Sequence, residues 1–332
     1  MNQLFRALRS TKTGHGVDIS MVDRNVADLP EGDVLIRVEW SSLNYKDALS
    51  ATGKPGVTRQ YPHTPGIDAA GVVVSASDGP WQAGDKVIVT GYDLGMNTDG
   101  GYGEYIRVPA DWVVKLPQGM SCRDAMLLGT AGLTAALCVE SLLDTGLAPD
   151  QGEVLVTGAS GGVGAVAVAL LARLGFNVVA GTGKADAADW LKALGASSLI
   201  SRAELQAGAD KVLLKPRWAG VVDTVGGDIL VNALKTLNYG ASAACCGMAA
   251  SGELHGTVFP FILRGINLLG VDSVELPLDI KQQVWDVLAD EWRLEQADRL
   301  LAAEVSLQEL PDWFARILAG KVRGRVLVRV AG

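Results

Sequence analysis

Glu153-Val154-Leu155-Val156-Thr157-Gly158-Ala159-Ser160-Gly161-Gly162-Val163-Gly164 decides the fold, because an apolar strand runs into a glycine-rich turn that opens directly into a helix. The helix reads from Val163 to Leu174, with Ala, Val and Leu dominant, Arg173 near its end and Gly175 placed to cap it. Asn177-Val178-Val179-Ala180-Gly181 then reads as a second strand. Strand, turn, helix and strand make a βαβ unit whose turn brings backbone N–H groups at a helix N-terminus close to a pyrophosphate. The turn therefore predicts a dinucleotide site. The first glycine of the usual G-x-G-x-x-G is Ala159 here, so the flanking strands and helix carry the reading, and the motif alone does not.

The residues beyond the second strand bear on which dinucleotide binds. A free ribose calls for an acid about twenty residues past the turn, whereas a 2′-phosphate calls for hydroxyls and cations. This chain offers Thr182, Gly183 and Lys184 there, and Arg202 follows the next strand, Ser198-Leu199-Ile200. The planar fork of an arginine suits phosphate. The pattern favours NADP over NAD.

Outward from this unit, strand and helix alternate through Ala219-Gly220-Val221-Val222-Asp223, Ala241 to Gly247 and Leu268-Leu269-Gly270-Val271, a count of six parallel strands. That is the pattern of a doubly wound sheet, which binds ligands outside the carboxyl ends of its strands. Asp223, Cys246, Gly247, Met248 and Ser273 fall on that edge, and capping of loop N–H groups is as good a reading of Asp223 and Ser273 as cofactor contact. Upstream, Val34 to Trp40 alternates apolar and polar residues, and Gly71 to Val74, Gly84 to Val89 and Tyr105 to Val108 follow as short strands. These predict a small β-barrel. Downstream, Ile280 to Leu301 reads as helix and Gly324 to Val330 as a last strand returning to the barrel.

Composition narrows the chemistry. With 332 residues, 48% of them hydrophobic, the chain can bury two cores, and its 29 Lys and Arg against 37 Asp and Glu leave no global basic field for nucleic acid or anionic membrane. Four cysteines are too few for a disulfide framework, and the N-terminus lacks the apolar core of a signal peptide. A cytoplasmic protein is the expectation. None of the three histidines, His15, His63 and His255, has a cysteine at metal-ligand spacing, and no G-x-S-x-G elbow is present. What remains is hydride transfer carried by a cofactor. The polar stretch Ser41-Ser42-Leu43-Asn44-Tyr45-Lys46-Asp47 after the first clear strand could serve it: Tyr45 to pack on a nicotinamide or give a proton, Asn44 to orient substrate or ribose. A solvated turn with one buried tyrosine is the plainer reading of the same stretch.

Several motifs together carry a family resemblance: Trp40 through Ala48, Pro65-Gly66-Ile67-Asp68, Gly129-Thr130-Ala131-Gly132, Thr157 through Gly164, Val222 through Gly226, Asn238-Tyr239-Gly240, Pro260 through Arg264, Gly270 through Val274 and Gly324-Arg325. On them, nearly end to end, the chain resembles the zinc-free, quinone-oxidoreductase-like branch of the medium-chain dehydrogenase/reductase superfamily, and most of all its acrylyl-CoA reductases. The resemblance implies an α/β protein with a GroES-like β-barrel catalytic domain from residues 1–127 and 272–332. A doubly wound Rossmann domain, 128–271, is inserted between those parts. It also implies NADPH as cofactor, a homodimer, and reduction of an activated C=C bond in an acyl-CoA, with quinones or other enones as alternative substrates and a non-catalytic NADPH-binding protein as a further alternative. The cofactor contacts it carries over are Tyr45, Ser160, Gly161, Gly162, Val163, Thr182, Gly183, Lys184, Arg202, Met248, Ile262 and Ser273; the residues themselves make Tyr45 and Asn44 the candidate catalytic pair, and no metal is expected. Ala319 stands where those relatives have an asparagine, so one polar cofactor contact is lost. Zinc-dependent relatives have cysteine where Asn44 and Tyr45 stand, and a cysteine-rich loop near Gly91 to Gly103. Arg264, Arg323 and Arg325 are candidates to hold the phosphates of coenzyme A.

Overall fold

The structure, a computed structural model, describes residues 3–331, which divide into two compact units. The first comprises residues 3–130, 274–290 and 301–331, and the second residues 131–273 and 291–300. In chain order the first unit opens with β1 (Leu4–Thr13) and β2 (Gly16–Asn25), an antiparallel hairpin in full register from Leu4 opposite Asn25 to Thr13 opposite Gly16. It continues with β3 (Val34–Leu43), α1 (Tyr45–Ala51), β4 (Asp68–Ala76), β5 (Lys86–Thr90), β6 (Tyr105–Val108) and β7 (Val113–Lys115). The hairpin is absent from the sequence reading: Arg, Ser, Thr and Lys break the apolar alternation of β1, although Val17, Ile19 and Met21 of β2 do alternate with polar residues.

Next comes α2 (Cys122–Asp144), interrupted at Gly129, whose φ of 55° and ψ of −157° are not helical. It is long and apolar enough by composition to cross a membrane, yet 78% of its most apolar window is buried within the protein, as in a core helix. The second unit then adds β8 (Glu153–Val156), α3 (Gly162–Arg173), β9 (Asn177–Thr182), α4 (Ala188–Ala193), β10 (Ser198–Ser201), α5 (Arg202–Gln206), β11 (Trp218–Asp223), α6 (Gly227–Lys235), β12 (Leu237–Cys245), α7 (Phe259–Arg264) and β13 (Asn267–Gly270). Its six strands lie in the order β10-β9-β8-β11-β12-β13, all parallel, the doubly wound order that the alternation predicts. Strands buried on both faces read as continuous apolar runs, and Val154, Leu155, Val156, Val178, Val179, Val221 and Val222 are all fully buried. Each such side chain contributes about 1.5–3 kcal/mol by leaving water.

The chain closes with α8 (Leu278–Ala289), β14 (Leu301–Ser306), α9 (Leu310–Leu318) and β15 (Arg325–Arg329), all in the first unit. The single helix expected over Ile280 to Leu301 is thus too long. Asp290 leaves helical geometry with φ −123° and ψ −87°, and residues 291–300 belong to the second unit. The first unit's sheet has seven strands in the path β14-β15-β3-β4-β5-β7, with β6 on the other end of β3. Two of its registers assemble the polar residues of this unit. Antiparallel pairing sets Trp40 of β3 opposite Ala70 of β4, and Leu43 opposite Val326 of β15. Two residues along the first ladder and one along the second bring Ser42 to Asp68 and Asn44 to Arg325.

Candidate active site

In the second unit the turn after β8 places its strain at Gly158, with φ +60°, and Ala159 needs no left-handed backbone. This explains how alanine replaces the first glycine of the motif. A side chain at Gly158 would run into the Thr224 hydroxyl, and one at Gly164 would meet the backbone of Gly158 and Ala159, so helix and turn pack as closely as the fingerprint requires. Gly161 is the N-cap of α3 and offers no side chain to the first-turn N–H groups of Gly162, Val163 and Gly164, which have no carbonyl four residues back inside the helix. No acid occupies that turn. A pyrophosphate fits these N–H groups and the positive end of the helix.

Beside the turn, the hydroxyl of Thr182 donates to Ser160 Oγ at 3.2 Å and accepts from the Lys184 N–H at 3.1 Å. Thr182 of β9 pairs with Ser201 of β10, which brings Arg202 over the next residue. A side chain on Gly183 would touch the Arg202 guanidinium at 3.5 Å, so glycine leaves that face open. Ser160, Thr182, Gly183, Lys184 and Arg202 are therefore one cluster of hydroxyls and cations, assembled from three strand ends. Such a cluster fits a 2′-phosphate on the ribose of a dinucleotide.

The other predicted contacts are placed separately. Met248 follows β12 and is largely exposed, and Ile262 lies exposed on α7. Ser273 is buried, with its hydroxyl 2.7 Å from that of Thr134. Asp223 has the capping role: its Oδ1 accepts from the Thr157 hydroxyl at 2.6 Å and its Oδ2 from the Gly226 N–H at 2.8 Å. Burial raises its pKa, and these hydrogen bonds lower it.

In the first unit Tyr45 begins α1, half exposed, and Asn44 is the N-cap behind it. The amide of Asn44 is fully engaged: Nδ2 donates to Asp68 Oδ2 at 2.7 Å and to Ser42 Oγ at 3.3 Å, and Oδ1 accepts from Arg325 Nη1 at 3.1 Å. It belongs to a buried polar network that the sequence reading did not assemble. Asp68 Oδ2 accepts from the Ser42 hydroxyl at 2.5 Å, and Oδ1 from the Thr130 hydroxyl at 2.5 Å. The Thr130 N–H lies 3.0 and 3.1 Å from the two carboxylate oxygens. Arg325 donates to Ser42 Oγ at 2.8 Å and to the Leu127 carbonyl at 3.1 Å, with its Nη2 3.9 Å from Asp68 Oδ2. A second carboxylate, Asp47, accepts from the N–H groups of Asn44 and Ile67, each at 2.8 Å, and from the Tyr102 hydroxyl at 3.0 Å.

Two carboxylates and one guanidinium thus share a space closed to water. Burial, aided by the charge of Asp68, raises the Asp47 pKa to about 7 against the three hydrogen bonds that favour its ionised form. Burial pushes the Arg325 guanidinium down, and Asp68 and Asp47 pull it back up. Burial, and then Asp47, drive the Tyr102 phenol well above its usual range. The arrangement holds or releases one proton near neutrality directly behind the start of α1. Gly129 makes the space: a side chain there would clash with the Asp68 carboxylate, and with Ser42 Oγ and Arg325 Nη2 at 2.8 Å.

Two candidates for coenzyme A phosphates are corrected. Arg325 is buried in this network. Arg264 caps carbonyls, donating to Lys235 at 2.7 Å, Leu237 at 3.3 Å and Leu214 at 2.6 Å. Among the described residues no group of three or more His, Cys, Asp or Glu side chains is placed to hold a metal ion.

Residues 30–118 match the alcohol dehydrogenase GroES-like domain, and residues 162–290 the zinc-binding dehydrogenase domain. The acrylyl-CoA reductase AcuI of Ruegeria pomeroyi is 46% identical over 306 residues, which cover 92% of each chain. The chain belongs to the medium-chain dehydrogenase/reductase superfamily, in the family that holds the acrylyl-CoA reductases and the quinone-oxidoreductase-like proteins. Among solved structures of this family, the yhdH oxidoreductase of Salmonella enterica in complex with NADP superposes with a TM-score of 0.95 at 43% identity, covering 98% of this chain and 100% of that one. Bacillus subtilis yhfP with NAD bound superposes with a TM-score of 0.96 at 46% identity, covering 98% and 99%. Family members have thus been seen with either dinucleotide.

Proposed function

We propose that the protein reduces the activated C=C bond of an acyl-CoA with NADPH, acryloyl-CoA to propanoyl-CoA, as a cytoplasmic homodimer. The observation that carries this reading is the cluster of Ser160, Thr182, Lys184 and Arg202 beside the uncapped N-terminus of α3, because it suits a 2′-phosphate and offers no acid to a free ribose. The acyl-CoA part draws its support from the relative named acrylyl-CoA reductase.

NADPH, when bound, supplies the hydride that adds to the β-carbon. The N–H groups of Gly162, Val163 and Gly164 take the pyrophosphate, and Thr182, Lys184 and Arg202 take the 2′-phosphate. Met248, Ile262 and Ser273 complete the cofactor contacts. Tyr45 donates to the thioester oxygen as charge develops there, and the α-carbon takes its proton from this side chain or from water. Asn44, clamped by Asp68 and Arg325, fixes where Tyr45 starts. It orients the reacting side chain and has no free amide donor of its own.

Reduction with NADPH deuterated at C4 tests the step. One deuterium is expected at the β-carbon of propanoyl-CoA and a solvent-derived hydrogen at the α-carbon. Turnover of quinones with no label reaching propanoyl-CoA would replace this reading with a quinone reductase.

A further inference from the structure

A phenol with one proton sits between two acceptors in the buried network. The Tyr102 hydroxyl lies 3.0 Å from Asp47 Oδ2 and 3.2 Å from the Ser42 carbonyl, and Tyr102 and Asp47 are both closed to water. The ring itself is fixed. Its backbone N–H donates to the Pro65 carbonyl at 3.0 Å, its carbonyl accepts from the Leu8 N–H at 2.9 Å, and the Phe314 ring of α9 packs 6.1 Å away between centroids. What can turn is the hydroxyl proton.

The two acceptors allow Asp47 either charge state. Ionised, it accepts from the N–H groups of Asn44 and Ile67 and from the phenol. Protonated, its O–H donates to the phenol oxygen, and the phenol turns its own proton to the Ser42 carbonyl, while the two N–H groups keep their acceptors. Neither state leaves a donor of this set unpaired. The charged groups that bear on Asp47 are Asp68 of β4 and Arg325 of β15. Helix α9 turns Phe314 inward and holds Asp312 and Arg316 exposed, and Lys46 of α1 is partly exposed. Burial holds the Asp47 pKa at about 7 and drives the phenol well above its usual range, so the proton exchanged near neutrality belongs to the carboxyl.

We propose that Asp47 and Tyr102 form a proton switch behind Tyr45 whose protonated state is the one that supports reduction. Both act as positioning residues, since neither touches the substrate. The inference rests on the reading in which Tyr45 donates to the thioester oxygen. Asp47 holds the N–H of Asn44, the residue just before Tyr45. Reduction builds negative charge on that oxygen, and an ionised Asp47 leaves the network with two carboxylates against one guanidinium, which opposes that charge across a poorly screening interior. With the proton on Asp47, Asp68 and Arg325 balance.

The test is kcat at saturating acryloyl-CoA and NADPH from about pH 5.5 to about pH 9.5. In the wild type kcat should be level at the acid end and fall about tenfold through a midpoint near about pH 7. Tyr102→Phe removes a hydrogen bond that favours the ionised carboxyl, so its midpoint should move up by about one pH unit. Asp47→Asn cannot ionise and should give a flat profile. A defect of packing alone lowers kcat alike at every pH. Titration of the Asp47 carboxyl by 13C NMR, in aspartate-labelled wild type and Tyr102→Phe, should reproduce the two midpoints. A wild-type kcat that stays level, or a Tyr102→Phe midpoint that stays or moves down, would overturn the switch. If acryloyl-CoA is not reduced at any pH, the functional reading fails, and the NMR titration still decides whether Tyr102 and Asp47 are coupled.

Discussion

Arg325→Met removes the one guanidinium from a buried space that also holds Asp47 and Asp68, both fully inaccessible to water. Methionine keeps most of the volume and loses the donors to Ser42, Asn44 and Leu127. Removing one partner from a buried charge set typically costs about 3–5 kcal/mol. For a folding unit of this size, that is a fall in Tm of roughly 6–20 °C. The loss has a pH signature. In the wild type the Asp47 pKa is raised from its ordinary value near 3.8 to about 7, so this group favours the folded state below about pH 4 relative to neutrality, and its cost grows as pH rises through the window between those values. Without the guanidinium Asp47 holds its proton more tightly, so the deficit of the variant is largest at about pH 8 and shrinks by about pH 5.5. Thermal melts followed by near-UV circular dichroism at both pH values read this out. Arg325→Lys, which keeps charge and loses the planar fork, should fall between. A variant that melts within about 2 °C of wild type, or with the same deficit at both pH values, would refute the reasoning.

Gly129→Ala places a methyl group against Asp68, Ser42 and Arg325 at a residue with φ +55°, and urea titration should show a loss of about 3 kcal/mol or more. Tyr45→Phe should lower kcat with little change in NADPH affinity, by about 2.7–4 kcal/mol of barrier if its hydroxyl meets the developing oxyanion; unchanged turnover leaves the ring a packing role. Lys184→Ala and Arg202→Ala should each weaken NADPH about ten- to a hundredfold by fluorescence titration and leave NADH nearly unmoved, whereas equal losses would mean that these residues support the fold.

The doubly wound sheet was legible because its strands are apolar on both faces and its glycine turn has no other economical reading: β8, α3 and β9 form where the pattern puts them. The grouping of Thr182, Lys184 and Arg202 was legible for the same reason, since they sit at fixed steps from those strand ends. The network behind Tyr45 was not. Its members, from Ser42 to Arg325, are drawn from five segments far apart in the chain, and the antiparallel registers of β3 with β4 and β15 bring only three of them together. Asp68 between Ile67 and Ala69 was a usable signal, because an acid in an apolar run is buried only when partnered. In β1 the run of Arg, Ser, Thr and Lys breaks the alternation, so periodicity passes over it, whereas the alternation of Val17, Ile19 and Met21 in β2 and the amphipathic but only nine-residue α9 were usable signals.

The central claim, NADPH-dependent reduction of an acryloyl thioester, is tested most directly by steady-state kcat/KM of the purified protein for acryloyl-CoA with NADPH, measured beside NADH and a panel of quinones. Saturable formation of propanoyl-CoA is predicted, with NADPH preferred over NADH and acryloyl-CoA preferred over every quinone. Preference for NADH, or quinone turnover without reduction of acryloyl-CoA, would contradict it.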